Sequence, residues 1–273
     1  MLRSVAVMYH PQREQAIAES RWLEDALRER GVVPVLGNGW DPDAVQHLCC
    51  DKDLVVALGG DGTIIHVARL AAPFTVPIVG VNLGRVGFLA ALTPDALHHS
   101  VDALTEQRYW IENHTMLDVT YCSRDATEQF LALNEVTLAR GGQPHALHVR
   151  VQLDGDDFLT YTADGVLVAT ATGSTAYSLA AGGPILYPES RDMLITPVAP
   201  HLHIGRSTVI SGDTRVTLSL SSKRRGMMMA DGDDERPVTG GDWIDVRRSE
   251  LVARFARLSP RSYFYAAIAS RMR

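Results

Sequence analysis

The chain has 273 residues, with 26 Lys or Arg against 32 Asp or Glu for a formal net charge of −6, and 46% of its residues are hydrophobic. A chain this long buries roughly three quarters of the surface its unfolded form exposes, so it needs no disulfide or metal staple and has room for one large domain or two medium ones. The acidic balance excludes a general nucleic-acid binder, whose footprint is a basic patch, and the one dense basic run, Lys223-Arg224-Arg225, reads as a solvated turn.

Lysine is nearly absent: only Lys52 and Lys223 occur. Cys49, Cys50 and Cys122 make no CxxC pair, and the adjacent two read as small buried residues or a helix end in a reducing compartment. The first ten residues have neither the apolar core nor the cleavage pattern of a signal peptide. The uncharged stretch 165–188 is interrupted by Gly173, Ser174, Gly182, Gly183 and Pro184, so it reads as a buried, ligand-facing loop and not a membrane span. These features place the chain in the cytoplasm, with no membrane or nucleic-acid partner expected.

The first half alternates two periods. Ser4 to Tyr9 reads as a short strand, and residues 14–30, rich in Ala, Leu, Glu and Arg, as a helix stopped by Gly31. Val32 to Leu36 reads as a strand that Pro34 assigns to a sheet edge. The apolar run Asp53 to Leu58 fits a strand buried on both faces. Ile64 to Ala72 then reads as helix, Pro77 to Val81 as strand and Asp95 to Gln107 as helix. This order implies a parallel sheet with crossover helices. From about Thr115 the period becomes two: Met116–Tyr121, Phe130–Leu138 and His148–Leu153 read as strands. Asp154 to Asp157 signals a hairpin, and Ser211-Gly212-Asp213 signals another between Thr208–Ile210 and Arg215–Leu220. Trp243–Arg247 and Leu251–Leu258 add strands before a helical segment from Pro260 to Arg273.

The chemistry concentrates in glycine-rich segments. Gly59-Gly60-Asp61-Gly62-Thr63 ends an apolar strand and opens a helix, where doubly wound sheets bind ligands and helix amides favour phosphate oxygens. A carboxylate there would repel phosphate unless it takes a proton from an attacking hydroxyl or helps to hold Mg²⁺; a turn with a capping Asp is the plainer reading. No P-loop, GxGxxG, kinase catalytic loop, GxSxG or HExxH occurs. His201-x-His203 lacks a third ligand, so no metal-binding residues are assigned; His98-His99 reads as solvated. Gly80 to Leu89 forms a second glycine-rich segment, in which Arg85 is either a phosphate partner or a surface residue. Asn134-Glu135 interrupts an apolar stretch, so a ligand or a neighbouring backbone must satisfy it. Asp164-Gly165 and Thr172 to Ser178 supply hydroxyls suited to a neutral, sugar-rich ligand.

In this order, followed by Ala181-Gly182-Gly183-Pro184, Asp231-Gly232, Arg247-Arg248-Ser249 and the ending Arg261-Ser262-Tyr263-Phe264, these segments resemble the bacterial type of the NAD kinase family over nearly the whole chain. The GGDGT motif alone is shared with diacylglycerol and sphingosine lipid kinases, and a lipid kinase or a non-catalytic dinucleotide sensor are the alternatives. The Gly173-Ser174-Thr175-Ala176-Tyr177 segment points to NAD kinase. The resemblance implies an α/β N-terminal domain with a parallel sheet, residues 1–112 with 257–273 returning to it, and a β-rich NAD-binding domain, residues 113–256. It implies ATP-dependent phosphorylation of the adenosine-ribose 2′-hydroxyl of NAD, with Mg²⁺ or another divalent metal accompanying ATP. By the resemblance Asp61 is the proton acceptor and Gly62 lies against the ligand. Asn134, Glu135 and Asp164 hydrogen-bond the dinucleotide, and Thr175, Ala176, Tyr177 and Ser178 line the adenosine pocket. His66, standing where arginine is frequent, is a phosphate-facing residue of lower charge. A homodimer or homotetramer is expected, with some NAD contacts crossing between subunits. The chain departs from the family pattern at Ala171, His114 and Asp233 as well.

Overall fold

A computed structural model describes residues 2–84, 87–142, 144–201, 205–221 and 224–271. Arg85, His203 and Lys223, each part of a sequence-based expectation, lie outside them. The chain divides into two compact units, Met1–Asn113 with Ala253–Arg273, and His114–Val252.

The first unit begins with β1 (Ser4–Tyr9), α1 (Glu14–Arg28), β2 (Val33–Asn38) and α2 (Pro42–Cys49). It continues with β3 (Leu54–Gly59), α3 (Asp61–Ala71), β4 (Pro77–Asn82) and α4 (Pro94–Thr105). The strands run parallel in the order β2-β1-β3-β4, and Pro34 does sit on an edge strand, where its missing N–H costs no ladder bond. All six β3 residues are buried, as its apolar run requires. On α1 the buried residues are Ala16, Ser20, Leu23, Ala26 and Leu27, a stripe at helical spacing. Of these, Leu23, Ala26 and Leu27 pack in one cluster with Val5, Val7, Val56 and Leu58 of the sheet and Leu97 and Val101 of α4.

Of helix α2 the sequence reading has only the alternative of a helix end at Cys49 and Cys50, which is where the helix stops. It buries only Val45 and Cys49, too few for a visible period. Its start is set by Asp41, whose carboxylate accepts from the Asp43 and Ala44 amides at 3.1 and 3.2 Å, and by Pro42 in the first turn. The three cysteines are free, and burial pushes the Cys49 thiol up to about 12, so it is held neutral.

The second unit is almost entirely β. Its strands are β5 (Trp110–Cys122, entering from the first unit), β6 (Thr127–Ala132), β7 (Glu135–Ala139), β8 (Leu147–Leu153), β9 (Asp156–Ala163) and β10 (Gly165–Ala169). After the one-turn α5 (Tyr177–Ala180) come β11 (Met193–Val198), β12 (Thr208–Ile210), β13 (Val216–Leu220), β14 (Gly226–Ala230), β15 (Asp233–Val238) and β16 (Trp243–Arg257). One antiparallel sheet has the order β12-β11-β10-β7-β14-β15, and β13, β8 and β9 follow the early part of β16 in another. Both contribute to one core that includes Val136, Leu138, Val149, Val151, Val166, Val168, Val216, Leu218 and Val246. The last residues of β16 belong to the first unit, where Arg254 and Phe255 pair in parallel with Pro77 and Ile78 of β4. Helix α6 (Tyr263–Arg271) follows.

Four readings are corrected. Phe130–Leu138 is two strands, broken at Leu133 and Asn134. Ser211-Gly212-Asp213 is no hairpin: β12 pairs with β11 while β13 pairs with β8 and β16, because the chain changes sheets there. Trp243–Arg247 and Leu251–Leu258 are one continuous strand, β16. The stretch 165–188 begins as a fully buried strand, β10, before its loop starts. The Asp154 hairpin does form, with Asp154 and Gly155 both at positive φ, 52° and 95°, as a two-residue primed turn requires.

Candidate active site

In the first unit the GGDGT segment forms the junction of β3 and α3, with Gly60 as N-cap and Asp61 in the first helical turn. The register sets Gly59 opposite Asn82, the last residue of β4. Asn82 is 4% exposed; its side-chain amide donates to Asp61 Oδ1 at 3.3 Å, and its Oδ1 accepts from the Gly84 N–H at 2.8 Å. The Leu83 N–H donates to the Gly59 carbonyl at 3.0 Å, tying the loop after β4 to the turn before α3. At Gly87 a Cβ would overlap the Asp61 carboxylate, so this position brings backbone closer to an acidic group than any side chain allows. The buried pair Arg257–Glu112, with Nε to Oε1 at 2.7 Å, holds the same loop further on, because Arg257 also donates to the Leu89 carbonyl at 2.7 Å.

Gly62 is exposed, and a Cβ there would come only into ordinary contact with the Trp40 indole. Trp40 donates from Nε1 to Thr63 Oγ1 at 3.1 Å and stacks on His66, ring centroids 5.0 Å apart. Asp61, Gly62 and His66 are therefore grouped on one helix start. Trp40 and Asn82 were not singled out from the sequence. A tryptophan in the loop Gly39-Trp40-Asp41-Pro42 carries only a turn signal, whereas a polar residue ending an otherwise apolar strand was a readable clue to Asn82.

In the second unit, the break between β6 and β7 leaves backbone amides without strand partners. The Asp231 carboxylate accepts all three: from Leu133 at 2.7 Å, Asn134 at 2.7 Å and Glu135 at 3.1 Å. Asp231 reaches them from the β14–β15 turn, at φ 51°. These are charge-assisted bonds, and they satisfy the backbone at the break in the strand. The side chains of Asn134 and Glu135 are buried, each 8% exposed, with Asn134 Oδ1 and Glu135 Oε2 making no hydrogen bond to protein. Burial, then the neighbouring Asp231 charge, push the Glu135 carboxyl up to about 8 against a backbone hydrogen bond from Tyr177.

The TGSTAY loop packs on this segment. Thr170 donates from Oγ1 to the Leu133 carbonyl at 2.6 Å, and a Cβ at Gly173 would overlap the Asn134 carbonyl. Thr175 is half-buried, its hydroxyl on the Thr172 carbonyl at 3.0 Å. Ala176 is half-buried and Tyr177 is 41% exposed. Ser178 is fully buried, its hydroxyl 3.0 Å from that of Thr196. Asn134, Glu135 and Thr175–Ser178 thus form one group. Asp164 stands apart: it precedes Gly165, whereas Glu135 pairs with Ala169 at the other end of β10. Five residues at about 3.3 Å each put roughly 17 Å between those ends. Asp164 pairs there with Arg140 at 3.2 Å. His114 and Ala171 are buried near the loop start, with His114 Nδ1 2.7 Å from Thr172 Oγ1.

Among the described residues no group of three His, Cys, Asp or Glu could hold a metal ion, and no helix is long and apolar enough to cross a membrane.

Comparison with known proteins matches residues 6–109 to the ATP-NAD kinase N-terminal domain and residues 133–258 to the ATP-NAD kinase C-terminal domain. An NAD kinase of Chloroflexus aurantiacus is 39% identical over 274 residues, covering 100% of this chain and 99% of that protein. One from Dehalococcoides mccartyi is 34% identical over 275 residues, covering 100% and 97%. Among solved structures, an NAD kinase from Archaeoglobus fulgidus in complex with ATP superposes with a TM-score of 0.77 at 26% identity, covering 98% of each chain. Yeast NADH kinase complexed with NADH gives 0.87 at 24% identity, covering 98% of this chain and 86% of that one, a likeness of fold. The chain belongs to the NAD kinase family, enzymes that phosphorylate NAD with ATP.

Proposed function

We propose that Asp61 is the general base of this reaction, taking the proton of the adenosine-ribose 2′-hydroxyl as that oxygen attacks the γ-phosphorus of ATP. The oxygen–phosphorus bond formed gives NADP, the bond to the leaving oxygen breaks to give ADP, and the proton passes to the carboxylate. Phosphoryl transfer asks for positioning and charge neutralisation more than covalent chemistry from protein. The observation that carries the reading is a carboxylate fixed at the start of α3 by the Asn82 amide, under a loop that has no side chain at Gly87. In this reading Gly62 and His66 border the ligand, and 1–112 with 257–273 form the domain of phosphoryl transfer.

Residues 113–256 are the dinucleotide-binding domain. Asn134 Oδ1 and Glu135 Oε2, buried without protein partners, are acceptors for hydroxyl or amide donors of the dinucleotide, whose bonds would offset their desolvation. Thr175, Ala176, Tyr177 and the backbone around Ser178 line the adenosine. With only two lysines in the chain, a divalent cation such as Mg²⁺ accompanies ATP. The donor set fits an ion held mostly by phosphate and water oxygens, and when bound it neutralises charge on the transferring phosphate. The roughly 17 Å between Asp164 and the Asn134–Glu135 pair favours a homo-oligomer in which Asp164 serves a neighbouring subunit. Free cysteines favour the cytoplasm.

Calorimetric titration separates the two sets of roles. Asp61→Asn should bind NAD with wild-type affinity, and Asn134→Ala at least about tenfold more weakly, given roughly 1.4 kcal/mol or more for a lost buried hydrogen bond. Equal loss in both would make Asp61 a binding residue and remove it from the chemical step.

A further inference from the structure

The parallel sheet of the first unit runs in the order β2-β1-β3-β4, so the chain leaves β1 toward one edge and β3 toward the other. The point where that direction changes, outside the carboxyl ends of β1 and β3, is where such sheets hold ligands. One lip of this crevice is the GGDGT turn after β3. The other is the β1–α1 loop, 10–13, whose residues have no role in the steps above. The His10 N–H donates to the Leu58 carbonyl at 3.0 Å and the Arg13 N–H to the His10 carbonyl at 3.3 Å, so the backbone of Arg13 is anchored beside β3. Its side chain is exposed and, among the described residues, its guanidinium has no hydrogen-bond or ion-pair partner. It nevertheless lies against the turn: a Cβ on Gly60 would come 3.6 Å from Nη2 and 3.8 Å from Nη1. Those are ordinary contacts, and Gly60 has φ −92°, which any residue adopts. Neither backbone nor packing therefore demands glycine at 60, in contrast to Gly59, where a Cβ would overlap Thr63. An unpaired guanidinium beside bare backbone leaves room for a third group, and a guanidinium fork suits phosphate.

We propose that Arg13 is a phosphate-binding residue of the enzyme, its guanidinium holding the triphosphate of ATP against the Gly59-Gly60 turn. Lys52, the one lysine of this unit, precedes β3 and so stands at the other end of that strand, where it donates to the Cys50 carbonyl at 3.3 Å. The choice of ATP over the pyrophosphate of NAD rests on Asp61 being the base, because the attacked phosphorus then lies beside Asp61 and next to Gly60.

The test is calorimetric titration of the full-length enzyme with ATP and Mg²⁺, without NAD, for wild type, Arg13→Gln and Arg13→Lys. Arg13→Gln should bind ATP about 10- to 100-fold more weakly, the loss expected for charge-assisted bonds. Inorganic triphosphate should weaken by a similar factor and adenosine not at all. Arg13→Lys should recover part of the loss, a point charge replacing the fork, and Tm should stay near wild type. Unchanged affinity for ATP and for triphosphate would overturn the proposal. Weaker binding of NAD with ATP unchanged would overturn the assignment to ATP and give the guanidinium to the NAD pyrophosphate. Since these titrations involve no turnover, an active Asp61→Asn would remove the base and leave the measured role of Arg13 standing.

Discussion

Glu135 shows how a single buried carboxyl links stability to pH. Its ordinary value of 4.5 is raised to about 8 in the fold, first by burial and then by Asp231. Between those values the native state holds a proton that the unfolded chain releases, so stability is fully present below pH 4.5 and is lost as pH rises through about 8. Melting of the ligand-free enzyme should move down by on the order of 5 °C between pH 6 and 9, and Glu135→Gln should flatten that dependence. A wild-type curve already flat would mean the carboxyl is ionised throughout. At this scale the sequence was most informative where a residue type clashed with its surroundings. Asn134 and Glu135 stood out as polar groups in apolar sequence, and Asp61 as an acid in a phosphate-type turn. Asp231, the group that makes the Asn134–Glu135 segment possible, lies about a hundred positions away; its Asp-Gly pair announces a turn but not the three amides its carboxylate meets. Ser178, read as one of the hydroxyls suited to a sugar-rich ligand, lies 3.0 Å from the Thr196 hydroxyl, a long-range fact no local pattern carries.

Among elements, those with a full period were legible. Strands β1, β3 and β4 and helix α1 lie within a residue or two of their expected bounds, since burial on one or both faces writes itself into the sequence. Helix α2, with two buried residues, and the changeover from β12 to β13 were not, because neither short helices nor the choice of sheet leaves a local period. The loop following β10 is set by contact instead. Gly173 faces the Asn134 carbonyl, a backbone atom that cannot turn aside as a side chain would. Gly173→Ala should therefore cost about 1–3 kcal/mol of stability and raise KM for NAD, since relief of the overlap displaces either Asn134 or the TGSTAY loop. Denaturant unfolding alongside steady-state kinetics checks both effects. An unchanged midpoint and KM would mean the two segments part without consequence.

At the level of the whole molecule, β16 links the two units by serving both, its early residues pairing with Val216–Ser219 of β13 and its last with β4. Composition has no signal for the grouping of Ala253–Arg273 with the first unit. The proposed exchange of Asp164 between subunits predicts complementation. Asn134→Ala and Asp164→Ala enzymes, each weak in NAD binding, should regain part of the wild-type activity when unfolded together and reassembled, because a mixed oligomer contains intact sites. No recovery, with mixed oligomers demonstrated, would place Asp164 outside the NAD site. The most direct measurement concerns Asp61 itself: single-turnover formation of NADP by wild type and Asp61→Asn, with saturating NAD, ATP and Mg²⁺. A general base predicts that the variant loses about 10²–10⁴-fold in the chemical step with its NAD affinity intact. A single-turnover rate equal to wild type would contradict that role and leave phosphoryl transfer in this enzyme without its proposed proton acceptor.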